Sequence, residues 1–478
     1  MQKYNHAFGK NDIRGIYGED ITEELYYNIG RGFIEWLKSK SGKQPNEMTL
    51  TICRDARLHS PQLSEALISG VTSTGAKVIN LGLAPTPIGY YSEVTMDEVI
   101  SAMIITASHN PSEYNGLKMT YEHQTLNEKQ IREVRDLTYT SWVDNYKKEQ
   151  TFAENFNIIP EYIKDMKSRF GDIGKGLKIV VDSANATGGI VGPQLYKELG
   201  CEVIELYSEP DGRFPNHHPN PSDLKTLKEL QKTVVDNNAD VGIAFDGDSD
   251  RIGVVDANGN TMTGDKLLLI YALDLISTCD IQPTVVSEVK CSQVLFDTIN
   301  NTGATAIMCK TGHGYIKEKM KETGAILAGE MSGHTFFKDR YFGFDDAIYA
   351  GCRIIEIISK NKKQNSNFKI QDMLKAFDAV YTSNELRYPC PNELKKTTLE
   401  KLSNFILENK NMFGCEIKDI VTLDGMRIIF DGGFAMIRQS NTEPVFTLRF
   451  EAKTKEQCEH FQKCMVKKLD EYVTVAKS

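Results

Sequence analysis

The sequence predicts an α/β protein: three related α/β domains followed by a smaller α+β domain. Three observations lead there. A strand, polar loop, helix, glycine and second strand occur in that order three times, at residues 48–82, 177–207 and 283–314. Each copy precedes another short apolar strand that runs into an unusual polar loop. From about Phe377 onward the pattern stops.

Within each copy, a β-branched run gives the first strand. Gly75, Gly200 and Gly303 stand where the following helix must stop, each just before the second strand. Strand–helix–strand of this length predicts a parallel, right-handed crossover. The apolar strands that follow are VISAMII, ADVGIAF and GAILAG, leading into TASHNP, DGDSDR and GEMSGH. Open α/β sheets bind ligands beyond the carboxyl ends of their strands. Three loops in equivalent positions therefore predict three domains facing one central cleft. After the polar break NKKQNSN at 361–367, the strands in LDGMRIIFDGGFAMIRQS and PVFTLRFEA and a helix from about Lys455 read as an α+β domain. The expected boundaries are 1–158, 159–261, 262–375 and 376–478.

The length of 478 residues suits about three or four domains. Acidic residues outnumber basic ones, 65 to 56, for a net charge of −9. That argues against broad nucleic-acid binding but permits an anionic small molecule in a local basic pocket. Apolar runs are short, with none near the roughly 18 residues of a spanning helix. Met1 to Gly15 contain no hydrophobic signal core. The ten cysteines are scattered without a CxxC pair, which predicts reduced thiols, no zinc centre and a cytoplasmic location.

The loops carry the chemistry. Ser108 follows a strand but lacks the GxSxG frame of a nucleophile elbow, which disfavours an α/β-hydrolase. On its own it would read as a turn serine. With His109 beside it, it offers two polar groups to an anion. Asp246, Asp248 and Asp250 alternate, so three carboxylates can converge on one hard cation. An EF-hand fails, because its sixth position would be Arg251 and its twelfth Ala257. Mg²⁺, which leaves positions open for a phosphate oxygen, is the expected ion; a solvated acidic turn is the alternative. Glu330, Ser332 and His334 suit the hydroxyls of a sugar. Arg438, Ser440, Asn441 and Thr442 combine a guanidinium, hydroxyls, an amide and turn N–H groups, as a phosphate site requires. Lys118, Lys290 and His313 stand near these loops in the repeat.

At these residues the chain resembles the α-D-phosphohexomutase superfamily. The matching segments are Asp12-Ile13-Arg14-Gly15, TASHNPSEYNGLK, FPNHHPNP, DGDSDR, GEMSGH, FFKDRYFGFDDAIYA and RQSNTEP, in order along nearly the whole chain. The resemblance implies four domains with mixed sheets around a deep cleft. It also implies Ser108 as the serine that carries the phosphoryl group and, with Asp246, Asp248 and Asp250, as a ligand of Mg²⁺. Glu330 and Ser332 would contact the sugar with His334 nearby, and Arg438, Ser440, Asn441 and Thr442 would hold the non-reacting phosphate. Arg14, His109, Lys118, Arg251, Lys290 and His313 match polar active-site positions. The GEMSGH loop is similar to that of enzymes acting on mannose and glucose. One departure is Asn11, where related bacterial enzymes often have Tyr.

The expected reaction exchanges phosphate between O1 and O6 of a hexose, mannose and also glucose, through a phosphoserine and a bisphosphosugar. Glucose 1,6-bisphosphate or mannose 1,6-bisphosphate would serve as activator and intermediate. The expected partners are hexose phosphates, not nucleic acid or membrane, with the protein a monomer or homodimer. A phosphoglucomutase or phosphoglucosamine mutase preference, a non-catalytic sugar-phosphate-binding protein and a metal-dependent phosphatase are the competing readings.

Overall fold

A computed structural model describes residues 3–144, 146, 153–440 and 443–477. The chain divides into two compact units. One comprises residues 1–263 and 332–369, the other 264–331 and 370–478. The chain passes between the units at 263/264, 331/332 and 369/370, all inside the expected third segment.

Each predicted repeat forms the expected elements. The first has strand Thr49–Arg54, helix Ser60–Thr72 and strand Lys77–Leu83; the second has Lys178–Asp182, Gly192–Glu198 and Glu202–Leu206. The third has Thr284–Glu288, Gln293–Asn301 and Thr305–Cys309. Gly75, Gly200 and Gly303 all have positive φ, +93°, +97° and +88°, so the chain reverses where a side chain would be strained. In every repeat the first strand lies in the middle. It pairs in parallel with the second strand and with the strand that follows the repeat: Val99–Ile105, Val241–Phe245 or Leu327–Gly329.

Two antiparallel additions make the sheets of the first unit mixed. Strand Tyr114–Tyr121 returns along Val99–Ile105 and pairs on its other edge with Ile13–Ile16. Strand Ile252–Asp256 returns along Val241–Phe245. The consequence for function is direct, because residues 106–113 and 246–251 become tight connections at strand ends.

Beyond the third repeat, the second unit contains an antiparallel sheet of six strands, with Val445–Ala452 between Gly433–Gln439 and the short strands Tyr381–Thr382 and Leu386–Pro389. Helix Lys455–Lys477 matches the predicted start; helix Asn392–Glu408 is an element the sequence pattern does not predict. Ile428, Ile437, Phe446, Leu448 and Phe450 pack with Leu402, Ile406, Phe461, Met465 and Leu469. In the first unit, Leu25, Ile29 and Phe33 join Leu50, Ile52, Leu67, Met103 and Leu117 in one core. Each such side chain contributes roughly 1.5–3 kcal/mol by burial.

Helix Ala347–Gln364 begins at a buried polar node. Asp346 caps it by accepting from the Tyr349 N–H, and its other oxygen accepts from the hydroxyls of Tyr162 at 2.8 Å and Tyr341 at 2.7 Å. Burial pushes this carboxyl up to about 6, against the hydrogen bonds that favour its charge. The folded chain therefore holds a proton that the unfolded chain releases near pH 4. Stability present below pH 4 is lost as pH rises through about 6, by about 3 kcal/mol from this group. In urea titrations, wild type should lose that amount relative to Asp346→Asn between pH 4 and pH 7; a constant difference would contradict the account.

Candidate active site

Ser108 is the first central residue of the turn Ala107–Asn110 that follows strand Val99–Ile105, with φ at +49°, a left-handed conformation uncommon for a residue with a Cβ. Its N–H donates to Thr106 Oγ1 at 2.8 Å, and its Oγ donates to Asp246 Oδ2 at 2.8 Å. His109 Nδ1 lies 3.1 Å from the same hydroxyl. The loop bearing Asp246 reaches this position because residue 247 is glycine; a Cβ there would sit 2.3 Å from the Ser108 carbonyl oxygen.

Asp246 is the first residue after its strand, and Asp248 and Asp250 follow on the same loop, all three buried. One oxygen from each lies within 4.8 Å of the others. Thr86 Oγ1 donates to Asp248 Oδ2 at 2.6 Å, while Lys118 Nζ donates to Asp248 Oδ2 at 2.7 Å and to Asp250 Oδ2 at 2.5 Å. Asp248 Oδ1 and Asp250 Oδ1 accept no hydrogen bond among the described residues. Hard oxygen ligands and spare buried acceptors fit a divalent cation such as Mg²⁺, with Asp246, Asp248 and Asp250 as the residues able to hold it.

The surrounding cations are arranged around these carboxylates. Arg14 donates to Asn110 Oδ1 at 2.9 Å and also to Asp12. Arg251 Nε donates to His334 Nε2 at 3.0 Å, and His334 Nδ1 lies 3.0 Å from Asp345 Oδ2. Asp345, His334 and Asp250 form a second convergence of possible ligands. Burial opposes charge on Lys118, but Asp248 and Asp250 outweigh it and hold the amine as an ammonium. Burial, then repulsion from Asp250 and Asp248, raises the Asp246 carboxyl well above its ordinary range. Burial, then Arg251 and Arg14, lowers His109 well below the ordinary imidazole value and favours its neutral form.

The second unit gathers a different set. Glu330 follows strand Leu327–Gly329 and accepts the Gly312 N–H at 2.7 Å; Met331 N–H donates to Glu288 at 2.8 Å. Lys290 lies 3.4 Å from Glu385 and 3.7 Å from Glu288. Burial opposes its charge, and Glu288 and Glu385 more than restore it. Arg438 Nε donates to Asp424 at 2.9 Å, and the same Asp424 oxygen accepts the Thr311 N–H at 3.2 Å. His313 opens helix His313–Thr323 next to this contact. Ser440 accepts from the Glu443 N–H at 3.2 Å. Asn441 and Thr442 lie outside the described residues.

Of the residues singled out in the sequence, Arg14, Ser108, His109, Lys118, Asp246, Asp248, Asp250, Arg251 and His334 thus lie together in the first unit. Ser332 belongs to that unit too, where its carbonyl accepts from Ser222 at 2.9 Å. Lys290, His313, Glu330, Arg438 and Ser440 belong to the second. Sequence reading missed Thr86, Asp345, Asp424, Glu288 and Arg57. The repeat held a signal for the last: the loop after the first strand of the third copy carries Lys290, and the same loop of the first carries Asp55 and Arg57.

Four models of phosphoglucomutase/phosphomannomutase domains match the chain. Alpha/beta/alpha domains I, II and III match residues 5–141, 160–259 and 263–376, and the C-terminal domain matches 370–468. A phosphomannomutase/phosphoglucomutase of Pseudomonas aeruginosa is 38% identical over 459 residues, covering 95% of this chain and 93% of its own. A phosphoglucomutase of Neisseria meningitidis is 36% identical over 455 residues, covering 95% of each. The crystal structure of a phosphoglucomutase/phosphomannomutase family protein from Burkholderia thailandensis superposes with a TM-score of 0.85 at 32% identity. That match covers 98% of this chain and 97% of the other.

If the three carboxylates hold the cation jointly, Asp250→Asn should weaken Mn²⁺ or Mg²⁺ binding at least about tenfold in calorimetry, since one charged ligand is lost. Unchanged affinity would exclude Asp250 from the ligand set.

Proposed function

The chain belongs to the phosphoglucomutase/phosphomannomutase family, and from that premise we propose that it interconverts hexose 1-phosphates and hexose 6-phosphates, of mannose and of glucose. The observation that carries the reading is the Ser108 hydroxyl, 2.8 Å from one of three convergent buried carboxylates. A hydroxyl so placed can carry a phosphoryl group beside a divalent cation.

In this reading phosphorylated Ser108 passes its phosphoryl group to the free hydroxyl of a hexose monophosphate. The P–O bond to Ser108 breaks as the new one forms, and the hydroxyl proton leaves to a base. The bisphosphosugar turns end for end and returns its other phosphoryl group to Ser108. Mg²⁺ bound by Asp246, Asp248 and Asp250 would offset the charge of the moving group. Lys118, as an ammonium, and the guanidinium groups of Arg14 and Arg251 stabilise the same charge. Neutral His109, within reach of the Ser108 hydroxyl, is suited to accept a proton.

Carried over from the family motifs, Glu330 and Ser332 contact the sugar hydroxyls, with His334 nearby. Lys290 and His313 match polar active-site positions of the family, and Arg438, Ser440, Asn441 and Thr442 match its positions for the non-reacting phosphate. Glucose 1,6-bisphosphate or mannose 1,6-bisphosphate primes Ser108. The domain boundaries at 158/159, 261/262 and 375/376 belong to this proposal. So do a cytoplasmic location, with which the ten free cysteines accord, and a monomeric or homodimeric state.

Ser108→Ala should reduce turnover of mannose 1-phosphate and glucose 1-phosphate by at least ~10³-fold. Mass spectrometry of the wild type should locate a mass increase of about 80 Da, one phosphoryl group, on Ser108. Full activity of Ser108→Ala would refute the reading, and stoichiometric release of inorganic phosphate would favour a phosphatase.

Arg438→Ala should raise KM for both sugar phosphates by about 10- to 100-fold, because a charge-assisted bidentate partner is worth about 1.5–3 kcal/mol. An unchanged KM would remove Arg438 from the phosphate site.

A further inference from the structure

We infer that Arg57 is a positioning residue for the phosphoryl-carrying serine, an assignment that rests on the proposed role of Ser108. Arg57 lies on the loop after strand Thr49–Arg54, and its side chain is fully buried. A guanidinium has five N–H donors in a rigid fork. Here all five have acceptors. Nε donates to Asp55 Oδ2 at 2.9 Å. One terminal nitrogen donates to the carbonyls of Ser108 at 3.0 Å and Asn110 at 2.7 Å. The other donates to the carbonyls of Pro111 and, at 3.1 Å, Tyr114.

Four of the five bonds thus go to backbone carbonyls, three in the serine loop and one on Tyr114, the first residue of the strand that follows, and none to side chains of the loop. That distribution differs from what a substrate-binding or purely ion-paired arginine would show. The loop needs such a fastener. Ser108 has positive φ, and its carbonyl must face inward while its hydroxyl meets Asp246. Carbonyls turned inward within a buried loop require donors, and one guanidinium supplies four at fixed spacing.

Arg57 is itself held from two sides. Asp55 also accepts the Arg57 N–H at 3.1 Å, which fixes the start of the side chain. The Phe214 ring centroid lies 5.3 Å from the guanidinium carbon. This ring belongs to FPNHHPNP, a segment otherwise without an assigned task. The approach is tight: a Cβ on Gly212 would meet the Ala56 carbonyl at 2.3 Å. Arg57 touches neither substrate groups nor the metal carboxylates by hydrogen bond. Its effect on the reaction passes through the loop backbone.

Lysine keeps the charge but lacks the fork, and cannot reach four carbonyls at once. Arg57→Lys should lower kcat for glucose 1-phosphate by about 30- to 100-fold, the cost of misplacing a reacting group by about 1 Å. KM should stay within about threefold, because the groups that bind substrate are untouched. Rapid-quench transfer from glucose 1,6-bisphosphate to Ser108 should slow by the same factor. Ile29→Ala, a core substitution away from the loop, provides the comparison: it lowers Tm and leaves kcat at 25 °C unchanged. If Arg57→Lys retains wild-type kcat, or loses kcat and raises KM equally, the assignment is overturned. Should Arg57→Lys fail to fold, Asp55→Asn decides. It retains the guanidinium and loosens its anchor, and should cost about 5- to 10-fold in kcat at constant KM; unchanged kcat overturns the assignment. Wild type that never takes up phosphoryl at Ser108 would remove the serine's role and this assignment together, whereas a phosphorylated wild type with fully active Arg57 and Asp55 variants removes the assignment alone.

Discussion

Three carboxylates buried within 4.8 Å of one another set the terms for the first unit. Like charges at that spacing in a dry site repel strongly, so they stay ionised only with cations in contact. Lys118 supplies one directly, bridging Asp248 and Asp250. Arg251 lies 3.8 Å from Asp246, and Arg14 adds positive potential from strand Ile13–Ile16. The remaining unsatisfied oxygens on Asp248 and Asp250 give a divalent cation its reason to bind. The Ser108 hydroxyl, donating into this group, stands where a phosphoryl dianion would complete the charge balance. The reaction proposed for the chain follows from that balance more than from the serine itself.

A second constraint is backbone placement. Loops beyond strand ends leave carbonyls facing inward, and this protein satisfies them with buried arginines. Arg57 does so for the serine loop in the first unit. In the second unit, Arg427 donates to the carbonyls of Val289 and Cys291, and Arg449 to that of Lys290. Arg427 is fully buried against the Phe434 ring, and burial lowers its guanidinium to about 10. The two units thus hold strand-end loops by the same means, though at different positions in the repeat. The solution is costly in desolvation but rigid, because the guanidinium fork fixes several acceptors together.

The fold was legible to the extent that it is local. Val/Ile-rich runs, helix stops at Gly75, Gly200 and Gly303, and turns rich in Asp, Ser and Gly define three repeats without reference to the rest of the chain. The site was legible where residue types are concentrated, as in Asp246, Asp248 and Asp250, or where the motif resemblance placed a single serine. Arg57, Thr86, Asp345 and Asp424 gave no comparable signal. Their functional contacts lie in other segments of the chain, and a lone Arg, Thr or Asp has many ordinary roles.

The sequence by itself determined the repeated α/β architecture, the order of the polar loops and the kind of chemistry they carry. These rest on periodicity, glycine conformation and donor type, all of which are properties of short segments. Tertiary structure alone decided which strand is central, that Asp246 accepts the Ser108 hydroxyl, that Lys118 is held as an ammonium, and that Arg57 fastens the serine loop. It also decided that the GEMSGH stretch divides between compact units after Met331. Such facts depend on distances between segments remote in sequence and on the burial that packing them creates, and neither quantity exists before the chain has folded.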